Sequence, residues 1–227
     1  MFKIGNFASM KIIIVSATKF EIEPLLKAME STVQVNEHLT TGIFKNHTID
    51  FLITGIGMVA TAFHCGRAIN SEYNFALNVG ICGSFNSNLE IGQVVNIVQD
   101  HFSELGAEEG EKFLSLKEIG LEGSIEMFNE TIIMNTVLDE IPKVCGVTVN
   151  TVHGNDASIE KVFNKFHPNT ESMEGAGFMF ACEELKIKYA QIRCVSNYVE
   201  KRNKNNWNIP LAIVNLNKKI IEIIERI

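Results

Sequence analysis

The sequence predicts an α/β protein: a single domain built on a central, mostly parallel twisted sheet flanked by helices. Three observations predict it. Short β-branched and apolar runs, bounded by Gly, Asn or Asp, alternate with longer segments of helical periodicity, the order that builds parallel sheets. The chain has 227 residues, 46% of them hydrophobic and 21% charged, which suits one full core. No internal repeat or low-complexity stretch divides it.

The elements follow in order. Residues 11–16 (KIIIVS) suit a buried parallel strand. Thr18 is placed to cap a helix over Lys19–Met29, and Glu21 three residues on completes a capping box. Pro24, past the first turn, is expected to kink or weaken that helix. Thr40–Phe44 and Thr48–Thr54 alternate on either side of Lys45–His47 and read as a hairpin. Gly55–Ile56–Gly57 opens a helix through Asn70. Residues 75–79 (FALNV) form a strand followed by Gly80 and Gly83, and residues 94–99 (VVNIVQ) form another. The charged, Gly-containing stretch over 103–125 reads as a loop around a site or an interface. Beyond it come a helix near 126–138, a strand at 146–152, a helix over 174–185, a strand at 189–196 and a closing amphipathic helix over 207–226.

Composition narrows the partners. A net charge of −7 lacks the Lys and Arg excess that nucleic-acid phosphates require, yet leaves a small nucleoside open as a ligand. No apolar run reaches the length of a membrane span, and MFKIGNFAS has no signal core. Met10 stands directly before KIIIVSA, so residues 1–9 read as an N-terminal extension, native or added, ahead of a domain over 10–227. Five scattered cysteines without a C-x-x-C pair read as buried thiols of a cytoplasmic protein. The six histidines show no metal spacing.

Residues 51–60 (FLITGIGMVA) imitate a dinucleotide-binding turn, with Gly55-x-Gly57-x-x-Ala60 between a strand and a helix. That fingerprint also wants an acidic residue at the end of the next strand, where this chain has Asn78–Val79–Gly80. A nicotinamide cofactor is therefore not expected. The two glycines still allow backbone amides to face a ligand.

Three segments carry candidate chemistry: Ala17–Glu21 after the first strand, Glu171–Ala176 before a helix, and Ile192–Asn197 at the end of a late strand. Ligands of open α/β sheets sit at the carboxyl ends of strands, so the first and third can share one cleft. Each residue has an ordinary explanation when taken singly. Glu21 completes a capping box, Glu174 favours a helix start, Met173 packs, Arg193 pairs at the surface and Asn197 caps a turn. Only their combination points to a site.

That combination resembles the nucleoside phosphorylase/nucleosidase superfamily, over nearly the whole chain from Met10. IIIVSATKFEIEPLL resembles the opening strand and helix, TGIGMVATA the second turn and NVGICGSF the glycine loop beside the base. ESMEGAG resembles the ribose-binding segment and RCVSN the base-binding strand. SNYVEKRNKNNWNIPLAI is similar to the tail of the futalosine hydrolases, a nucleosidase branch serving menaquinone synthesis. The resemblance implies that Glu174 accepts hydrogen bonds from the ribose diol, with Met173 against the sugar. It implies that Glu21 orients and deprotonates the attacking water, that Arg193 holds that carboxylate or the water, and that Ser196 supports Asn197. Cys82, Gly83 and Ile159 fall at substrate-binding positions, with Phe102 a candidate for stacking or for the 5′ group. It implies no metal and no organic cofactor, a purine nucleoside as the small-molecule partner, and a homodimer or larger homo-oligomer.

Two departures sharpen the expectation. Adenine-releasing relatives carry Asp where this chain has Asn197. A carboxylic acid can protonate N7, whereas an amide can donate to O6 and accept from N7–H, which fits a 6-oxopurine such as hypoxanthine. Ser158 stands where those relatives stack an aromatic ring, so stacking falls to Phe85 or Phe102. Glu21 and Glu23, with Lys19 and no Arg in the first turn, disfavour phosphate and favour water as nucleophile. The alternatives are a methylthioadenosine/adenosylhomocysteine nucleosidase and, from another class, a non-catalytic nucleoside binder.

Overall fold

Lys11–Ser16 (β1) is the buried strand its isoleucines dictate, with Ile12, Ile13 and Ile14 fully enclosed. The structure, a computed structural model, describes residues 9–227; the expected extension, apart from Ser9, lies outside them. Lys19–Lys27 (α1) follows, then Ser31–Gln34 (β2), Leu39–Phe44 (β3) and His47–Ile53 (β4), the last two forming the expected antiparallel hairpin. Next come Met58–Ala68 (α2), Phe75–Ser84 (β5), Val94–Phe102 (β6), and the small hairpin Gly106–Glu109 (β7) with Lys112–Ser115 (β8). The remaining elements are Glu126–Phe128 (β9), Thr136–Glu140 (α3), Lys143–Thr148 (β10), Asp156–Phe166 (α4), Thr170–Ser172 (β11), Gly175–Glu184 (α5), Tyr189–Tyr198 (β12) and Ile209–Glu225 (α6).

The sheet is mixed. Its centre, β4–β1–β5–β12, is parallel throughout. Beyond it β6, β10 and β11 run parallel to one another but antiparallel to β12. β11 then meets β5 antiparallel, pairing Glu171 with Gly83 and Thr170 with Ser84, so these strands close into a ring. Helices α1 and α6 cover one apolar cluster of the sheet, and α2 and α5 cover another. Strand β5 runs five residues past the expected FALNV, because Gly80 and Gly83 continue it rather than end it.

Two helices depart from expectation. The helix near 126–138 does not form. Asn129 accepts hydrogen bonds from the Thr131 N–H and hydroxyl, and Asn135 accepts from Val137 and Leu138 N–H. Side chains that bind nearby backbone in this way break a helix before they start one, leaving β9 and the short α3. The helix α4, which the sequence reading passed over, is started by Asn155, whose side chain accepts from Ala157 and Ser158 N–H.

Pro24 does not break α1. At that turn the buried Asn217 of α6 accepts from the Leu25 N–H at 2.9 Å and donates to the Glu21 carbonyl at 2.7 Å. The closing helix thus supplies backbone bonding where proline has no N–H to give. Asn217→Ala should lower stability by about 1–3 kcal/mol, the cost of leaving a buried backbone group unpaired. A urea titration comparing midpoints at constant slope would check this.

Candidate active site

The carboxyl end of β1 and the middles of β5 and β12 bring Glu21 and Arg193 to Gly80. Just beyond β1, the Glu21 carboxylate is fixed on both oxygens. Oε2 accepts from the Thr18 hydroxyl at 2.9 Å, the Thr18 N–H at 3.1 Å and the Ser16 hydroxyl at 3.2 Å. Oε1 accepts from the Ile81 N–H at 3.1 Å. Capping and site roles therefore coexist in one side chain, since bonding to the α1 start aims Oε1 across β5.

Arg193 lies opposite. It is 1% exposed, and its Nη2 donates to Asn78 Oδ1 at 2.5 Å. Asn78 is itself held by donating to the Val15 carbonyl at 3.0 Å. The Arg193 Nε is buried with no hydrogen-bond partner, so the guanidinium keeps donor capacity to spare. Gly80 separates the two charges: a Cβ there would lie 2.9 Å from Glu21 Oε1 and 3.1 Å from Arg193 Nη1. Only glycine leaves that space to the carboxylate and the cation.

Glu174 completes the group as the N-cap residue of α5, with Oε1 accepting from the Gly57 N–H at 3.1 Å. Burial raises its pKa above the ordinary carboxylate value; the nearby Arg193 cation and the Gly57 amide oppose the shift, and the like charge of Glu21 adds to it. The turn that imitated a cofactor loop thus serves this carboxylate. Gly55 and Gly57 have φ of 83° and 100°, which side chains resist. Helices α2 and α5 approach closely enough to bring the turn there because a Cβ on Gly177 would meet the Met58 carbonyl at 2.6 Å.

Further along β12, a bulge after Val195 sets Asn197 opposite Gly83. The single Ser196 O–H is shared between Asn197 Oδ1 at 2.8 Å and the Cys82 carbonyl at 3.1 Å, while Asn197 Nδ2 donates to the Tyr198 carbonyl at 2.9 Å. The amide is oriented, with one N–H still free to face a ligand. Cys82 contributes its backbone; its thiol is buried, which pushes its pKa well up and leaves it unreactive. Met173 packs against the cluster of Val147, Val149 and Val162 beside Phe85.

Glu21, Glu174 and Arg193 therefore meet, with Asn197, Ser196, Cys82 and Gly83 beside them on β5 and β12. Phe102 instead faces α2 and α5, lining a cavity of about 500 Å³ with Met58, Val59, Leu105 and Phe180. Ile159 stands half-buried on α4. Asn78 and the Ile81 amide were missed, because nothing in local sequence shows what they face; the Gly57 amide, expected to face a ligand, donates to Glu174. Also missed was His153, in the loop after β10. Its N–H donates to Glu171 Oε1 at 3.0 Å and its Nδ1 pairs with Glu171 Oε2, and that bond chiefly raises the His153 pKa.

Among the described residues, no group of three or more His, Cys, Asp or Glu is arranged to hold a metal ion. No helix among them is long and apolar enough to cross a membrane. Residues 11–227 match the family model described as the phosphorylase superfamily. The chain belongs to the phosphorylase superfamily. This superfamily member is 26% identical over 213 residues to a futalosine hydrolase of Acidothermus cellulolyticus, covering 90% of this chain and 86% of the relative. Its fold is shared with a futalosine hydrolase of Helicobacter pylori, at a TM-score of 0.81 and 16% identity, covering 96% of this chain and 98% of the other. A methylthioadenosine/adenosylhomocysteine nucleosidase of Colwellia psychrerythraea, solved in complex with adenine, has the same fold, at a TM-score of 0.80 and 19% identity, covering 97% and 96%. For a superfamily member, the expected single-domain α/β architecture is therefore established.

Proposed function

We propose that this protein hydrolyses the N-glycosidic bond of futalosine, releasing hypoxanthine and dehypoxanthine futalosine. The observation that carries the reading is the meeting of Glu21 and Arg193 at Gly80 with Glu174 close enough to feel both charges, and the Asn197 amide beyond them near the end of β12. Glu174 accepts from the ribose 2′- and 3′-hydroxyls, a task for a group that only accepts. Glu21 takes a proton from water as that water attacks C1′. Both carboxylates stabilise the positive charge of an oxocarbenium-like transition state. The free N–H of Asn197 donates to O6 of hypoxanthine and Met173 packs on the sugar; Phe85, which packs against the same valine cluster as Met173, or Phe102 stacks on the base. The name of the Acidothermus relative supports the same substrate.

A methylthioadenosine/adenosylhomocysteine nucleosidase is the second reading, favoured by the Colwellia neighbour's bound adenine. A chromatographic assay with futalosine, inosine, methylthioadenosine and adenosylhomocysteine in phosphate-free buffer separates the two. Hypoxanthine from futalosine is expected; adenine release would replace the reading, and turnover only after phosphate addition would make the enzyme a phosphorylase.

The reading extends to assembly and place. Helix α2 leaves Val59 and Phe63 exposed, with Ile56 before it and Phe180 on α5, a face that a second copy would cover. Light scattering should report a dimer or larger homo-oligomer, and Val59→Lys should shift it toward monomer. The free cysteines, four of the five buried, suit the cytoplasm.

A further inference from the structure

One carboxylate of the interior has no part in the chemistry described so far. Asp100, near the carboxyl end of β6, has no exposed surface. Taking a carboxylate out of water is costly, and such groups persist where hydrogen bonds satisfy them. Oδ1 accepts from the His101 N–H at 2.8 Å and the Thr148 hydroxyl at 3.0 Å, and Oδ2 accepts from Gln191 Nε2 at 2.9 Å. Burial pushes the Asp100 pKa up to about 6, while the bonds from Gln191 and Thr148, the Arg193 cation and the His101 N–H oppose the shift.

These bonds lead to the start of α5. Thr148 has one hydroxyl proton, which goes to Asp100, so its Oγ1 is left to accept. It accepts from the Ala176 N–H at 2.8 Å, one of the first-turn amides that a helix leaves without a partner of its own. Gly175 lies against the same carboxylate. A Cβ on it would overlap both Gln191 Nε2 and Asp100 Oδ2, so only glycine lets the backbone rest on that pair. Glu174 directly precedes these two residues as the N-cap of α5. Its side chain is held by the Gly57 N–H, and the backbone that follows it is held by the Asp100 group.

We propose that Asp100 is the positioning residue of Glu174. Acting through Thr148 and through its contact with Gly175, it sets the first turn of α5 and with it the place at which Glu174 meets the ribose diol. What Glu174 binds rests on the proposed function; the hydrogen bonds that hold α5 do not. A carboxylate suits the task because it only accepts, which fixes the direction of the chain from Ala176 through Thr148 to Asp100. Asn can take its place at small cost. Its Oδ1 keeps the His101 and Thr148 bonds, and its Nδ2 can donate to Gln191 once that amide turns to offer Oε1, which is buried without a partner. Ala cannot, since it leaves all three donors unmatched.

The test is a double-mutant cycle on futalosine hydrolysis, with a thermal melt of each variant. Asp100→Ala, Asp100→Asn and Thr148→Val are each made with Glu174 in place and in a Glu174→Ala background. With Glu174 present, Asp100→Ala and Thr148→Val should lower kcat/KM by about 10–10²-fold, the effect of a misplaced binding group, and Asp100→Asn by less than about 5-fold. In the Glu174→Ala background the same changes should cost less than about 3-fold, because the group they position is gone. Thr148→Val keeps the shape of the side chain and carries the test even where Asp100→Ala fails to fold. Equal losses in the two backgrounds, or full activity in Thr148→Val, would overturn the proposal and leave Asp100 a merely structural residue. If wild type releases adenine rather than hypoxanthine, the futalosine reading fails alone. The same cycle on methylthioadenosine, which carries the same ribose diol, then decides the role of Asp100.

Discussion

Glu21→Gln is expected to lower kcat by about 10²–10⁴-fold, the contribution of a positioned general base, while the binding of a nucleoside analogue stays within a few-fold. The substitution keeps shape and removes basicity. It also places an amide where Oε1 and Oε2 now accept from Ile81, Thr18 and Ser16, so part of the capping box goes with the charge. That structural cost is about 1 kcal/mol, the value of a typical cap. It can be separated from catalysis by a thermal melt beside single-turnover kinetics and analogue titration. A loss of binding equal to the loss of rate would assign Glu21 to structure alone.

Asn197→Asp is expected to turn base preference from hypoxanthine toward adenine by about 5–150-fold, the equivalent of one buried polar mismatch of 1–3 kcal/mol. The amide donates to the Tyr198 carbonyl through Nδ2 and accepts from Ser196 through Oδ1. A carboxylate would set an oxygen against the Tyr198 carbonyl, which favours the protonated acid, the form able to meet N7 of adenine. The ratio of kcat/KM for futalosine and methylthioadenosine, measured in both proteins, gives the answer. An unchanged ratio would show that Asn197 does not read the base.

Much of this architecture was legible in local pattern. The isoleucines of β1, the hairpin at Lys45–His47 and the periodicity of α6 are signals carried by adjacent residues, and all three elements formed where they were read. Errors fell where a side chain or a partner strand competed with the local pattern. Asn129 and Asn135 diverted the backbone from a helix, and β12 and β11 extended β5 through two glycines that look like a stop.

The site divides in the same way. Glu21, Glu174 and Asn197 could be named from sequence because each sits near the end of a strand or the start of a helix, where ligands of α/β sheets gather, and Arg193 because it lies in the same short segment as Asn197. Their partners could not be named: Asn78 behind Arg193, the Gly57 amide on Glu174, Asn217 across Pro24 and Glu171 on His153 are contacts between elements distant in the chain. Sequence by itself determined the elements and the kind of chemistry, because periodicity, capping and residue type act over a few neighbouring residues. Only the tertiary structure decided which groups face one another, because sheet order and register are set by the burial of whole faces at once.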